Sequence, residues 1–464
     1  MNESQKPGVF IKTYGCQMNE YDSLKLEKIL ENTHQKVDSP EKADLVLINT
    51  CSVRDKPEQK LYSLLGRMSE LKAEKPNLLI GVCGCVAQQE GENIVKRSKA
   101  VDLVFGTHNL SLVPSLIERR QSGLPPQVAI NYREDWEDLP LGFPEYEKVS
   151  AFISISRGCN KNCSYCIVPT TRGKEVSRDA NEILREIKIA VHRGVKEIML
   201  LGQTVNSYGL DFNPKIKFTD LLQKVSEIDG LERIRFMSPH PQEIRSDFVD
   251  LVTTNPKICH HIHMPLQSGS DRILKMMNRN YRRKRYLEIL SELKSKVSDM
   301  EFTTDIIVGF PGETEEDFQE TLSVMREVKF INCYSYIYSD RPGTSASAMS
   351  DQIPYEIKLR RLQDLQALQK DLSQEVLNHW YGKTTKVLID AKSVFQTNSE
   401  VVSWQGRNSQ NIVINFESSD LSLKPGSFVE VKIIEVSNYT LRGELLSEPA
   451  CFNNSIVDDR ANLQ

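Results

Sequence analysis

Cys159, Cys163 and Cys166 stand in the run Arg-Gly-Cys-Asn-Lys-Asn-Cys-Ser-Tyr-Cys, separated by three and then two residues. Disulfides at such spacing would be strained or absent. A loop this tight can instead wrap three thiolates around one compact inorganic centre. Three protein ligands on a four-iron cube leave one iron without one, and an open metal position is a catalytic feature because a substrate can take it. The competing reading is a structural zinc knuckle with a distant fourth ligand, His192 or one of His260, His261 and His263. Of the other cysteines, Cys16, Cys51, Cys83 and Cys85 lie in the first hundred residues, whereas Cys259, Cys333 and Cys451 are scattered.

The elements that must position these thiols follow from apolar patterning. Val9–Tyr14, Leu45–Asn49, Leu78–Val82 and Val101–Phe105 predict strands, and Tyr21–Leu30 and Lys56–Leu71 carry helical spacing. Alternating strands and helices predict βαβ units and a parallel sheet. Cys16 then ends the first strand, Cys51 the second and Cys85 the third. Parallel strands finish on one edge, so these distant thiols should meet in space and form a second cluster site with one iron open. Three small buried residues are the plainer reading, since free cysteine is among the most buried types. Cys83 competes with Cys85, because residues two apart in a strand share a face and spacing does not choose between them.

Gln121–Tyr146, rich in Pro, Gly and acidic residues, reads as a connector. The alternation resumes with strands at 151–156, 197–201, 233–238, 262–266, 302–308 and 333–338, separated by helical patterns such as 181–192, 219–228, 284–297 and 315–328. About six β/α units are too few for a closed eight-stranded barrel and predict a partial one, with reactive residues at the carboxyl ends of its strands. Tyr355–Tyr381 reads as one packing helix striped by Leu359, Leu362, Leu365, Leu368 and Leu372, too short for a coiled coil. Five short runs, at 386–390, 400–404, 411–416, 427–434 and 440–445, then predict a small β-barrel. Isolated His192 and His240 read as structural or solvated.

Fifty-nine Lys and Arg against 63 Asp and Glu give a net charge of −4, which excludes a polybasic nucleic-acid coat and confines RNA contact to local patches. The opening residues lack an apolar segment, and no run approaches the roughly 18 apolar residues of a membrane helix. A cytoplasmic protein without a disulfide framework is expected.

The Cys-x3-Cys-x2-Cys loop, with Tyr165 before its last cysteine, follows the first strand of a six-unit partial barrel and resembles the signature of the radical S-adenosylmethionine enzymes. The resemblance implies a [4Fe-4S] cluster on Cys159, Cys163 and Cys166 whose open iron is chelated by S-adenosyl-L-methionine, the source of a 5′-deoxyadenosyl radical. The protein's tasks are binding, orientation and exclusion of side reactions. Strand ends carrying Gln203, Gln267, Ser268 and Gly309 would form the rim that takes S-adenosylmethionine. Tyr14–Asn19, Asn49–Lys56 and Gly84–Gln88 are similar to the amino-terminal domain of the methylthiotransferases, and the similarity extends through Arg172–Arg178, Gly309–Thr314 and Arg341–Thr344. It selects Cys85 over Cys83 and implies a second, auxiliary [4Fe-4S] cluster on Cys16, Cys51 and Cys85. The Gln-Met-Asn and Ser-Val-Arg-Asp-Lys forms look like the branch that modifies N(6)-isopentenyladenosine at position 37 of tRNA.

That branch methylthiolates carbon 2 of the adenine, an unactivated C–H for which acid/base chemistry has no handle. One S-adenosylmethionine would supply the methyl group and a second the radical, with the two open irons facing each other across one cavity. The base would be splayed from the anticodon loop. The tail resembles the TRAM module, in which Trp404, Arg407, Lys432 and Arg442 could stack on or neutralise RNA. Arg172, Lys174 and Arg178, and the run Arg279, Arg282–Arg285, are further candidate phosphate contacts. The expected fold is therefore α/β: an amino-terminal parallel α/β sheet domain (8–124), a central partial (β/α)6 radical-SAM barrel (145–375) and a carboxy-terminal small TRAM β-barrel (378–446). Expected partners are tRNA, an electron donor of flavodoxin or ferredoxin type and an unidentified sulfur donor, with no membrane, for a monomer. Competing readings are the same chemistry on threonylcarbamoyladenosine or on a ribosomal-protein aspartate, a non-catalytic iron–sulfur RNA-binding redox sensor, and a zinc-stabilised RNA-binding protein.

Overall fold

The computed structural model describes residues 6–52, 55–133, 136, 143–146, 148–394 and 401–446. Val53 and Arg54 of the second cysteine motif, Glu400 of an expected strand and Cys451 lie outside the described residues. The chain divides into two units, Met1–Ser373 and Gln374–Gln464.

The first unit opens with β1 (Gly8–Thr13), α1 (Gln17–Leu30), β2 (Gln35–Lys36), β3 (Leu45–Thr50), α2 (Asp55–Glu74), β4 (Leu79–Gly84), α3 (Cys85–Glu90), α4 (Glu92–Arg97), β5 (Leu103–Phe105), α5 (Val113–Gln121) and β6 (Gln127–Ala129). The strands form one sheet of order β2-β1-β3-β4-β5-β6, parallel throughout. Strand order reverses between β1 and β3, the switch point at which such sheets open a crevice beyond their carboxyl ends. β3 is buried along its whole length. Val46, Ile48 and Val82 meet Leu61, Leu65 and Met68 of α2 on one face, while Leu45, Leu47 and Phe105 meet Leu26 and Ile29 of α1 and Ile117 of α5 on the other. Burial on both faces is why this segment reads as a continuous apolar run rather than an alternating one. Two strands exceed the expected four: β2, two exposed residues, and β6, three mostly buried residues inside the expected connector.

The chain continues with β7 (Ser150–Ser154), β8 (Ser156–Arg157), α6 (Val168–Arg172), β9 (Val176–Ser177), α7 (Ala180–His192), β10 (Glu197–Leu201), α8 (Phe218–Ser226), β11 (Arg233–Phe236), α9 (Ser246–Thr254), β12 (His261–His263), α10 (Asp271–Met276), α11 (Arg283–Lys296), β13 (Glu301–Val308), α12 (Glu315–Val328), β14 (Asn332–Ile337) and α13 (Tyr355–Asn378). Two parallel three-stranded sheets, β11-β10-β7 and β12-β13-β14, are joined by the parallel bridges Ile234↔Ile258 and Met237↔His263. Six strands therefore run in chain order around one open arc, the expected partial barrel. Leu365 and Leu372 of α13 seal its apolar core with Ile153, Ile198, Ile262 and Ile306.

In the second unit, β15 (Thr384–Lys392), β16 (Val402–Arg407), β17 (Val413–Ser418), β18 (Phe428–Val436) and β19 (Thr440–Leu445) close a five-stranded barrel of order β15-β16-β17-β19-β18. Arg407, Lys432 and Arg442 are exposed, with Arg407 paired to Asp390 and Arg442 to Glu417 and Glu435. Trp404 corrects its expected role: it is 3% exposed and fills the barrel, out of reach of an RNA base. Trp404→Ala is therefore expected to cost about 3–5 kcal/mol through the cavity it leaves, whereas Arg442→Ala stays within about 0.5 kcal/mol. Thermal melting of the two variants checks this, and equal melting temperatures would contradict it. Among the described residues, no helix is long and apolar enough to cross a membrane.

Candidate metal centres

Cys16 is the N-cap residue of α1, Cys51 directly follows β3, and Cys85 opens α3. All three leave the carboxyl edge of the sheet at or beside its switch point. Cys51 hydrogen-bonds with both Cys16 and Cys85, so thiols from three distant motifs meet. The hydrogen bond from Cys51, helped by the charge of Arg172, holds Cys16 and Cys85 below the ordinary thiol range, and Cys51 is raised in return. Two asparagines from the same motifs lock the turns together. Asn49 Nδ2 donates to the Asn19 carbonyl at 2.9 Å and to Ser23 Oγ at 3.0 Å, and Asn19 Nδ2 donates to Asn49 Oδ1 at 3.2 Å.

Gly84 separates Cys83 from Cys85. Its φ of +89° ends β4, and a Cβ there would lie 2.4 Å from the Thr50 carbonyl. The expectation that both cysteines share a face fails, because the chain has left the strand before Cys85. Cys83 faces the apolar cluster of Leu47, Leu103 and Phe105, where burial pushes its thiol far up.

The second group lies on the loop between β8 and α6, pinched at its base by the antiparallel pairing of β8 with β9. Gly158 (φ +71°) permits the pinch, since a Cβ would come 2.0 Å from the Lys174 carbonyl. Ser164 anchors the loop, donating to the Met276 carbonyl from Oγ at 2.9 Å and to the Met277 carbonyl from its amide at 3.1 Å. Tyr165 packs with Phe310, Ile273 and Met277. Cys159 Sγ accepts from the Lys161 amide at 3.4 Å and lies 3.7 Å from Thr204 Oγ1. Cys163 Sγ accepts from Arg279 Nη1 at 3.5 Å, and burial pushes the Cys166 thiol up to about 12.

The segment leaving β10 touches both groups. Leu201 forms an apolar cluster with Met18 and Tyr21 against which Cys16, Phe152, Met199 and Met237 pack, and Thr204 three residues on lies 3.7 Å from Cys159. A small cavity beside this contact is lined by Met18, Asp22 and Thr107 from the sheet domain and Ser154, Arg157 and Arg172 from the barrel.

The other expected site residues divide. Gln203 is half-buried on the segment between Leu201 and Thr204. Gln267 adopts φ +70° and bridges β13 through its backbone, its amide donating to the Asp305 carbonyl at 2.8 Å. Ser268 and Gly309 are held by partners within the barrel. The Ser268 side chain is fully buried and faces Thr321 of α12, and the Gly309 amide donates to Glu313 Oε2 at 2.7 Å. Three arginines expected on phosphates are also corrected, since burial takes them from any RNA surface. Arg172 pairs with Asp22, Arg178 with Glu186, and Arg279 bonds Cys163. Arg283 holds Ser323 and Glu327, while Arg285 holds the Ile244 carbonyl. Sequence reasoning missed Arg172 and Arg279 as neighbours of the thiols; their one signal was position, Arg172 closing the helix that follows Cys166.

The histidines do not complete a zinc site. His260 pairs with Asp299, His261 with Thr303 and His263 with Thr303 and Asp305, and burial holds His240 neutral, its pKa down at about 2. Among the described residues, no three His, Cys, Asp or Glu side chains close on a point as a single ion would require. The donors of each group are three thiols, a set that fits an iron–sulfur cube and would leave one iron without a protein ligand.

Residues 153–325 match the family model of the Radical SAM superfamily, residues 8–106 that of "Uncharacterized protein family UPF0004", and residues 381–446 that of the TRAM domain. The chain is 45% identical over 448 residues to the tRNA-2-methylthio-N(6)-dimethylallyladenosine synthase of Polynucleobacter asymbioticus, covering 94% of this chain and 98% of the relative. It is 41% identical over 440 residues to the synthase of the same name from Aquifex aeolicus, with coverage of 94% and 98%. Among solved structures, the radical S-adenosylmethionine methyltransferase TsrM from Kitasatospora setae shares the fold with a TM-score of 0.54 at 12% identity, over 86% of this chain and 77% of that one. The cobalamin-dependent radical enzyme OxsB gives 0.51 at 12% identity, over 79% and 56%. With curated relatives this similar over nearly their full length, the chain belongs to the tRNA-2-methylthio-N(6)-dimethylallyladenosine synthase family of the Radical SAM superfamily.

Proposed function

We propose that this protein methylthiolates carbon 2 of N(6)-isopentenyladenosine at position 37 of tRNA. Cys16, Cys51 and Cys85 would hold one [4Fe-4S] cluster and Cys159, Cys163 and Cys166 the other. The observation that carries this reading is the pair of cysteine trios reached by one short segment: Cys16 packs on the cluster that Leu201 forms with Met18 and Tyr21, and Thr204 Oγ1 lies 3.7 Å from Cys159 Sγ. When bound, the clusters and S-adenosyl-L-methionine supply the electron, the radical and the methylthio group. The chain's own residues hold and orient these groups. Arg279 places a buried cation on Cys163, and the Asn19–Asn49 pair fixes the turns of Cys16 and Cys51. Ser154 and Thr107 line the neighbouring cavity with hydroxyls.

Labour falls on residues 8–124 for the auxiliary cluster, 145–375 for the radical core and 378–446 for RNA, with Arg407, Lys432 and Arg442 as the exposed cations of the last. The substrate arm is the anticodon loop, the reductant a flavodoxin- or ferredoxin-type protein, and the working form a cytoplasmic monomer. Nucleoside mass spectrometry of tRNA from a deletion strain tests the reading. The 2-methylthio form of isopentenyladenosine is expected to vanish while unmodified isopentenyladenosine accumulates. Loss of methylthiolated threonylcarbamoyladenosine instead would move the protein to the sister branch, and unchanged tRNA would refute the proposal.

A further inference from the structure

The short helix α6 belongs to the radical core but is held by the other domain. It begins two residues after Cys166 and ends at Arg172. Thr107 Oγ1 donates to the Thr171 carbonyl at 2.9 Å, and the His108 ring meets the Arg172 carbonyl at 3.0 Å through Nε2. α6 also packs on α3, the helix that Cys85 opens. The Arg172 side chain, 4% exposed, completes the clamp. Its Nη2 donates to Asn19 Oδ1 at 2.9 Å and Asp22 Oδ2 at 3.0 Å, and its charge helps hold the Cys85 thiol below the ordinary range.

We propose that Arg172 is a positioning residue for the methylthiotransferase reaction, one that ties the loop of Cys166 to the turns of Cys16 and Cys85 and balances the charge of the cluster held there. The inference rests on the reading that Cys16, Cys51 and Cys85 hold a cluster. A second argument comes from charge. Hydrogen bonds to cluster sulfurs and net charge nearby set the potential of an iron–sulfur centre. Reduction adds one negative charge to the centre, so a buried guanidinium favours the reduced state and the Asp22 carboxylate opposes it. Arg172 Nη2 serves Asn19 and Asp22 together while its charge acts on Cys85, whereas a lysine keeps the charge without the planar guanidinium.

The test uses the full-length chain with Cys159, Cys163 and Cys166 replaced by alanine, so that a single cluster is read. Iron and sulfide content and an EPR-monitored redox titration are compared for this parent and for Arg172→Gln, Arg172→Lys and Asp22→Asn made in it. Arg172→Gln is expected to move the midpoint to more negative potential, Asp22→Asn to more positive potential, and Arg172→Lys to stay near the parent. A purely structural role would lower iron content or melting temperature without opposite shifts. An intact cluster with an unmoved midpoint in Arg172→Gln, or shifts of the same sign in Arg172→Gln and Asp22→Asn, would overturn the inference. Should Arg172→Gln fail to fold, an unmoved midpoint in Asp22→Asn overturns it and a positive shift supports it. A parent without iron would overturn the underlying reading, and the inference with it.

Discussion

Cys163→Ala is expected to abolish both 5′-deoxyadenosine formation and methylthiolation, whereas Cys51→Ala loses methylthiolation entirely and keeps 5′-deoxyadenosine formation within a few-fold of the parent. The asymmetry follows from where the two sulfurs sit. Cys163 lies on the loop pinched by β8 and β9, holds the buried Arg279 guanidinium, and has no neighbouring thiol to replace it among the described residues other than Cys159 and Cys166, which are themselves required. Cys51 is bonded between Cys16 and Cys85 on the other sheet, and the loop around Cys163 takes its support from Met276, Met277 and Gly173 rather than from Cys51. Cys83→Ala supplies the control. Its sulfur points into the apolar face under Leu47 and Phe105, so both activities are expected to persist at a modest loss of stability. Quantifying 5′-deoxyadenosine and methylthiolated nucleoside in anaerobic assays of folded variants decides the matter. Equal loss of both products from Cys51→Ala and Cys163→Ala would rule out divided roles.

The convergence of Cys16, Cys51 and Cys85 was legible because it depends only on strand direction. Once apolar runs alternate with helical patterns the sheet is parallel, and every strand ends on one edge. β3 and the six barrel strands were likewise legible from burial patterns that local periodicity records. What stayed hidden depends on partners far along the chain. Asp22 lies 150 residues before Arg172, so a buried ion pair looked like a free basic loop. The strand end at Gly309 gave no sign that its amide donates to Glu313, which is held by Arg361 from α13. The facing of Trp404 needed the barrel's register, because alternation in a short strand does not reveal which of its two faces is inside.

Glu186→Ala is expected to cost about 3–5 kcal/mol, the range for removing one member of a buried ion pair and leaving the other charge uncompensated. Glu186 lies on α7 with no exposed surface, and Arg178, 5% exposed, donates to its Oε2. The same carboxylate accepts from Tyr146 and, at 3.2 Å to both oxygens, from Tyr21 of α1. Tyr21 comes from the sheet domain and shares its apolar cluster with Cys16, so a carboxylate of the barrel fastens the helix that Cys16 caps. Glu186→Gln keeps an oxygen for the tyrosines but surrenders the charge opposite Arg178, and should fall between the parent and Glu186→Ala. Tyr21→Phe removes one hydrogen bond to a charged group, worth roughly 1.5–3 kcal/mol. Differential scanning calorimetry gives the order of melting, and hydrogen exchange along α1 gives its location. If α1 exchanges no faster in Glu186→Ala than in the parent, the carboxylate stabilises the barrel alone, and the placement of Cys16 must rest on Arg172, Asn19 and the apolar contact with Leu201.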